Sequence, residues 1–117
     1  MNININYNSR IPIYEQIVSE IERLVSLNIL KPDTQIPSVR QLACTLGINP
    51  NTVKKSYDIL EVKKIIISKS TKGTFISSDI TKAKEIKINE LITKIKDLEK
   101  ELISFGLTKE EIKKRLK

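Results

Sequence analysis

Two short helical patterns separated by a very tight turn constrain this sequence more than any other feature. The patterns cover residues 38–46 and 49–62, so only a few residues around Gly47 join them. A capping box opens the first pattern, and Asn49-Pro50 opens the second with a capping side chain followed by proline at the first helical position. A connection of this length is typical of a helix-turn-helix.

A helix precedes this pair, and a β-hairpin follows it. Apolar residues recur at spacings of three and four over residues 10–27, with Pro12 in the first turn and Asn28 as a left-handed cap. Beyond the second pattern the period becomes that of strands, over 65–69 and 74–77. The sequence therefore predicts a mainly α fold with a small β-hairpin, which together make a winged helix-turn-helix.

The rest of the chain reads as a helical tail. Its apolar residues are spaced 3, 4, 3, 4, 3 and are flanked by Lys and Glu, as in a coiled-coil interface. These six residues, called the seam below, are the predicted dimerisation residues: Ile88, Leu91, Ile95, Leu98, Leu102 and Phe105. A second capping box at Thr108 opens a last helix. We therefore divide the chain into a winged helix-turn-helix domain, 1–78, and a helical dimerisation region, 79–117.

The seam has two interpretations. It can pack against the first domain of its own chain, or it can pair with a second copy. We favour the second copy, because one small domain with few arginines makes few base contacts, whereas a two-fold dimer reads two tethered half-sites.

Positive charge is concentrated in the middle of the chain. The net charge is −1 over residues 1–30, +5 over 31–78 and +3 over 79–117, within a total of +7. A basic centre favours a polyanionic partner, with nucleic acid first, although lysines can also serve solubility alone.

Composition excludes several classes of function. The chain has no His and one Cys, which excludes His-based catalysis, His metal sites and an internal disulfide. No apolar run is long enough to span a bilayer, and the N-terminus lacks the layout of a signal peptide. We therefore expect a cytoplasmic protein that is not an enzyme, with no cofactor, no metal and no membrane contact.

Five blocks of this sequence resemble the N-terminal domain of the GntR superfamily of bacterial transcription regulators. In order, they are PIYEQI (12–17), IPSVRQLA (36–43), NPNTV (49–53), YDILE (57–61) and GTFI (73–76). The short helical tail, in place of a large effector-binding domain, resembles the YtrA-like branch, whose members are dimers and usually repressors. The sequence departs from the family at four of its usual glycines, which are replaced by Asn28, Asp33, Lys64 and Thr71.

The resemblance implies that DNA is contacted by the arginine of the helix predicted over residues 38–46. It also implies contacts from the first turns of the helix predicted over 49–62, which is called the recognition helix below. The chemistry agrees, since an Asn pairs with adenine, a Thr with a base or a thymine methyl, and an Arg with guanine or phosphate. The predicted DNA-binding residues are Ser38, Arg40, Asn49, Asn51, Thr52, Lys54, Lys55, Lys69, Lys72 and Gly73.

Other roles are open for some of these residues. Ser38 and Asn49 serve as helix caps in the alternative interpretation, and Lys69 and Lys72 as solvated surface. Outside the set, we expect Tyr14 and Tyr57 to be packing residues. Cys44 is expected to be an inert small residue of the core.

These observations predict a sequence-specific DNA-binding transcription regulator. We expect a dimeric repressor on a palindromic operator, with double-stranded DNA and a second copy of the chain as its partners. The sequence identifies no small-molecule effector. The alternative is a winged-helix module that binds protein and has no sequence-specific DNA binding.

Overall fold

The computed structural model describes residues 1–117, except for the side chain of Lys82. In chain order, its elements are α1 (Ile13–Ser26), β1 (Gln35–Ile36), α2 (Val39–Leu46), α3 (Pro50–Val62), β2 (Ile66–Ser68), a 3-10 turn (Ser70–Lys72), β3 (Thr74–Ile76), α4 (Thr81–Ser104) and α5 (Lys109–Arg115). Two compact units are formed, Met1–Ala83 and Lys84–Lys117. The domain boundary predicted after residue 78 falls just before α4, whereas the first unit extends into the start of that helix.

An aliphatic core holds the first unit together. Helices α1, α2 and α3 and the sheet all contribute side chains that are almost completely buried. The largest of them are Ile17, Ile21, Leu42, Val53, Ser56, Leu60, Ile66 and Ile76. Tyr57 is buried as expected. The helical spacing of three and four in α1 and α3 thus produces one continuous apolar interior.

The prediction for Cys44 is wrong, because this cysteine is exposed on α2. The core side of α2 is formed by Leu42 and Ala43, with Val39 and Leu46 packed against the same cluster. Those four positions have the helical pattern i, i+3, i+4 and i+7, whereas Cys44 lies at i+5. Each helical residue turns by about 100°, so Cys44 is carried away from the apolar stripe.

The three strands form one antiparallel sheet in the order β1–β3–β2. The hairpin of β2 and β3 was predicted, whereas β1 was not. Ile66 pairs with Ile76 on the side that faces the core, while Gln35 and Ile67 flank Phe75 from the two neighbouring strands. Side chains directly opposite one another in a sheet share a face. Gln35, Phe75 and Ile67 therefore form one row on the outer face of the sheet.

Helices α1 to α4 each end in the same backbone motif. A residue one or two positions past the helix has a positive φ, and its N–H and the next N–H bond back to helical carbonyls in a Schellman arrangement. The residues with positive φ are Asn28, Gly47, Lys64 and Gly106. Asn28, Lys64 and also Asp33 thus adopt the left-handed conformation at three positions where the resembling family has glycine.

In the second unit, α5 begins with the predicted capping box. The hydroxyl of Thr108 accepts from the Glu111 N–H at 3.2 Å, and the Glu111 carboxylate accepts from the Thr108 N–H at 3.3 Å. Ile112 of α5 is buried, whereas Leu116 is exposed. Both line an apolar groove of about 320 Å³ between α4 and α5.

Candidate nucleic-acid interface

The two helices of the helix-turn-helix begin at side-chain caps. The Ser38 hydroxyl accepts from the Gln41 N–H at 3.1 Å, and the Gln41 side-chain oxygen accepts from the Ser38 N–H at 2.9 Å. The side-chain oxygen of Asn49 accepts from the Asn51 N–H at 2.9 Å. Ser38 and Asn49 therefore both serve as helix caps, and the hydrogen bond of Asn49 leaves its amide nitrogen for other partners.

Two hydrogen bonds made by α3 fix its place relative to the other elements. The Tyr57 hydroxyl donates to the carbonyl of Pro37 at 2.6 Å, immediately before α2 begins. Burial raises the pKa of this hydroxyl above its ordinary range, so the donor stays protonated. The hydroxyl of Ser56, which is fully buried, donates to the Tyr14 carbonyl in α1 at 3.0 Å. The recognition helix is thus tied both to the entry of α2 and to the start of α1.

Arg40, Asn51 and Lys54 lie along a single groove between α2, α3 and the hairpin. The groove has a volume of about 430 Å³, and two carboxylates, Asp58 and Glu61, also line it. Arg40, Asn51 and Lys54 are all exposed. Three of the predicted DNA-binding side chains, two of them cationic, are therefore presented together.

The two lysines of α3 are held by neighbours within the protein. The Lys54 ammonium lies 3.0 Å from a carboxylate oxygen of Asp58, one turn further along the helix. The Lys55 ammonium lies 3.9 Å from the centre of the Tyr14 ring, a cation–π contact between α3 and α1. Sequence reasoning assigned no such role to Tyr14 or Asp58. The Lys54–Asp58 pair has the helical i,i+4 spacing that could have revealed it.

Thr52 lies half-buried in the first turn of α3. The wing, defined here as residues 66–76, carries the other three predicted residues. The Lys69 ammonium lies 4.6 Å from the centre of the Phe75 ring. The Lys69 N–H donates to the Gly73 carbonyl at 2.8 Å, and the Lys72 N–H donates to the Lys69 carbonyl at 2.8 Å. Both lysines are exposed. The tip is therefore a closed turn that displays two cations.

The predicted dimerisation residues lie in the second unit and are exposed in the single chain. The seam residues range from 39% exposed at Leu102 to 87% at Phe105. Three of them, Ile95, Leu98 and Leu102, also line the apolar groove against α5. Ile92 and Ile103 of α4 are exposed as well and widen the apolar surface beyond the seam.

Known proteins share this combination of elements. Residues 13–76 match the family described as bacterial regulatory proteins of the gntR family. This chain belongs to the GntR family. The HTH-type transcriptional repressor YtrA of Bacillus subtilis is 42% identical over 101 residues, which are 86% of this chain and 75% of that protein.

Solved structures agree with the family assignment. A transcriptional regulator from Oenococcus oeni is 37% identical, with a TM-score of 0.80 over 96% of this chain and 93% of the other. The N-terminal domain of AraR, solved in complex with a mutant of operator ORR3, is 27% identical. Its TM-score is 0.54, over 57% of this chain and 96% of the other.

The GntR-family assignment confirms the predicted winged helix-turn-helix and makes this protein a DNA-binding transcription regulator and not an enzyme. Within the described part of the chain, no helix combines the length and apolar character that crossing a membrane requires.

Proposed function

We propose that this GntR-family protein is a homodimeric repressor that binds a palindromic operator. The observation that carries the proposal is the shared groove of Arg40, Asn51 and Lys54 at the start of the recognition helix. Two comparisons support it, since the YtrA relative is a repressor and the AraR domain was solved with an operator.

The groove suits the reading of base edges in a major groove. A recognition helix reads bases with the side chains near its N-terminus, where Asn51 lies in the first turn of α3. Its amide has the donor and acceptor needed for adenine, and Arg40 has the fork that fits guanine or a phosphate. Lys54 adds a cation that exchanges Asp58 for a guanine or a phosphate on binding.

Dimerisation follows from the apolar surface of the tail. Seam side chains that are 39–87% exposed cost free energy in water, which burial against a second copy recovers. The alternation of Lys and Glu along α4 matches the charged flanks of helix-pairing surfaces. A dimer related by a two-fold axis presents its two recognition helices to two symmetric half-sites, and it therefore selects a palindrome.

The test is selection of duplexes from a randomised pool by the purified full chain. We expect the recovered sequences to be palindromic and to bind on the order of 10³-fold more tightly than shuffled duplexes of equal composition. Equal affinity for recovered and shuffled duplexes would refute sequence specificity and favour the protein-interaction module.

Analytical sedimentation of the protein without DNA tests whether the protein is a homodimer. We expect a species of twice the chain mass of 13.4 kDa at micromolar concentration. A species of single-chain mass both alone and on the selected duplex would refute the homodimer while leaving DNA binding intact. Placing the selected duplex between a promoter and a reporter gene then tests repression, for which we expect lower reporter output when the protein is present.

A further inference from the structure

One of the glycines that the GntR family uses at the wing tip is replaced in this chain. Gly73 is the one glycine between residues 48 and 105, and Thr71 stands where the family has another. Ser70 adopts a positive φ of 45°, which is uncommon for a residue with a side chain. A conformation of this kind persists only where surrounding contacts hold it. Two hydrogen bonds within the hairpin close the tip, and a further contact on it comes from outside the hairpin.

Gln35 of β1 reaches across the sheet to this tip. Its side-chain amide donates to the Lys72 carbonyl at 3.2 Å, over 37 positions of sequence. A Cβ placed on Gly73 would lie 2.6 Å from the same amide nitrogen, so a side chain at this position would displace the end of Gln35. Gly73 also has a φ of +119°, which side chains rarely adopt. The packing of Gln35 over Gly73 and its bond to Lys72 therefore form one contact.

The outer face of the sheet supports the second wing lysine in the same way. Gln35 pairs with Phe75, so that both side chains lie in the outer row. The Phe75 ring lies under the Lys69 ammonium at 4.6 Å. Gln35 and Phe75 thus hold the tip from one row, with Gln35 on the Lys72 backbone and Phe75 on the Lys69 charge.

We propose that Gln35 is a positioning residue for DNA binding by the wing, acting through Lys72 without touching DNA itself. The proposal rests on the proposed function, in that the wing lysines contact phosphates. A tip that is ordered before binding loses less conformational entropy when its lysines meet the phosphates. Without Gln35, the tip must be ordered during binding, and affinity for every duplex falls.

The experiment compares Gln35→Met, Lys72→Ala and the double variant in the full chain. Methionine keeps the length and the apolar stem but cannot donate to the Lys72 carbonyl. The probe is one arbitrary 30-base-pair duplex, because phosphate contacts do not depend on sequence. Affinity is measured by fluorescence anisotropy over a range of salt, and thermal melting checks that each variant is folded.

We expect Lys72→Ala to weaken binding and to reduce the salt slope by about 0.9, as for one lost phosphate contact. Gln35→Met should weaken binding by roughly threefold or more, and the double variant should lose less than about a further twofold beyond Lys72→Ala. In the free protein, the NMR order parameter of the Gly73 amide should fall in Gln35→Met and stay unchanged in Lys72→Ala.

Each contrary result has its own meaning. Wild-type affinity in Gln35→Met, with Lys72→Ala weakened, overturns the positioning role alone. So does full additivity in the double variant, which would mean that Gln35 acts independently of Lys72. An unaffected Lys72→Ala overturns the wing contact on which the inference depends, while selection by the recognition helix stays intact. Failure of the wild-type chain to bind any duplex at low salt overturns the proposed function itself.

Discussion

At the scale of single residues, Tyr57 links the core to the groove that we propose as the DNA-binding surface. Its ring is buried, and its hydroxyl donates to the Pro37 carbonyl one residue before the Ser38 cap of α2. The same side chain lines the groove that holds Arg40. This part-buried hydrogen bond therefore adds to the packing of the core in fixing the relative placement of the two helices of the helix-turn-helix.

Tyr57→Phe should lower the free energy of unfolding by about 1 kcal/mol, because the Pro37 carbonyl loses its donor. The effect should also depend on pH. The folded pKa of Tyr57 is raised above its unfolded value, so the stabilisation is present below about pH 10 and is lost as the pH rises further. Urea unfolding of the wild-type protein and of Tyr57→Phe, at pH 8 and at pH 11, measures the difference in their free energies of unfolding. If the wild-type protein and Tyr57→Phe differ in free energy of unfolding by the same amount at both pH values, the pH-dependent contribution of the Tyr57 hydroxyl is contradicted.

Arg40→Ala should weaken binding to the selected duplex by roughly 1–3 kcal/mol, because a base-reading fork is lost. Binding to a shuffled duplex should change much less. Lys113→Ala, which removes one exposed positive charge from α5, serves as the control and should alter neither affinity. If Arg40→Ala weakens both duplexes equally, Arg40 contacts phosphate and does not read bases.

At the scale of elements, the ends of the helices show how sequence departures are absorbed. Helices α1 and α3 each close in a Schellman motif around a residue other than glycine, Asn28 at φ 60° and Lys64 at φ 63°. The short polar side chain of Asn tolerates this conformation, whereas for other L-residues it costs about 1–2 kcal/mol. The turn after α3, which leads into the hairpin, therefore carries strain at Lys64.

Lys64→Gly should relieve that strain and raise the free energy of unfolding. The gain is about 0.5–1 kcal/mol, since the added freedom of glycine in the unfolded chain offsets part of it. Asn28→Gly, the matched change at the end of α1, should gain less, because Asn already tolerates a positive φ. Chemical denaturation of the wild-type protein, Lys64→Gly and Asn28→Gly measures their free energies of unfolding and so ranks the three by stability. A destabilised Lys64→Gly variant would contradict the strain argument.

The features that sequence predicted well are those encoded within a few residues. The capping boxes at Ser38 and Thr108 and the cap at Asn49 each involve partners at most three positions apart. The hairpin of β2 and β3 is local in the same sense. Periodicity and capping therefore placed the helix-turn-helix, whereas the DNA-binding side chains that the resemblance to GntR regulators implies stay a prediction.

The features that sequence missed depend on residues far apart in the chain. Strand β1 has two residues and exists through pairing with β3, about forty positions away. The same holds for the Gln35–Lys72 hydrogen bond and for the Tyr14–Lys55 contact. A strand of two residues is too short to show the alternation of apolar and polar residues, so no local pattern predicts it.

At the scale of the whole molecule, the excess positive charge and the exposed apolar seam lie in different parts of the chain. The strong positive excess lies in residues 31–78, which contain the helix-turn-helix and the wing. The tail balances Lys with Glu and keeps its apolar residues in the seam. Under the proposed function, DNA affinity and self-association depend on different residues, so we expect that each can be removed without the other.

Leu98→Lys tests this separation, because it places a charge in the middle of the seam, where Leu98 is 60% exposed in the single chain. We expect the dimer to dissociate, since an unpaired charge is costly to bury at an interface. Loss of tethering should then weaken binding to the full palindrome by about 10²-fold or more, while a duplex with one half-site binds as before. Thr93→Lys adds the same charge to an exposed position of α4 outside the seam and should leave both affinities intact. Unchanged affinity of Leu98→Lys for the palindrome would show that the two half-sites are not joined through the seam.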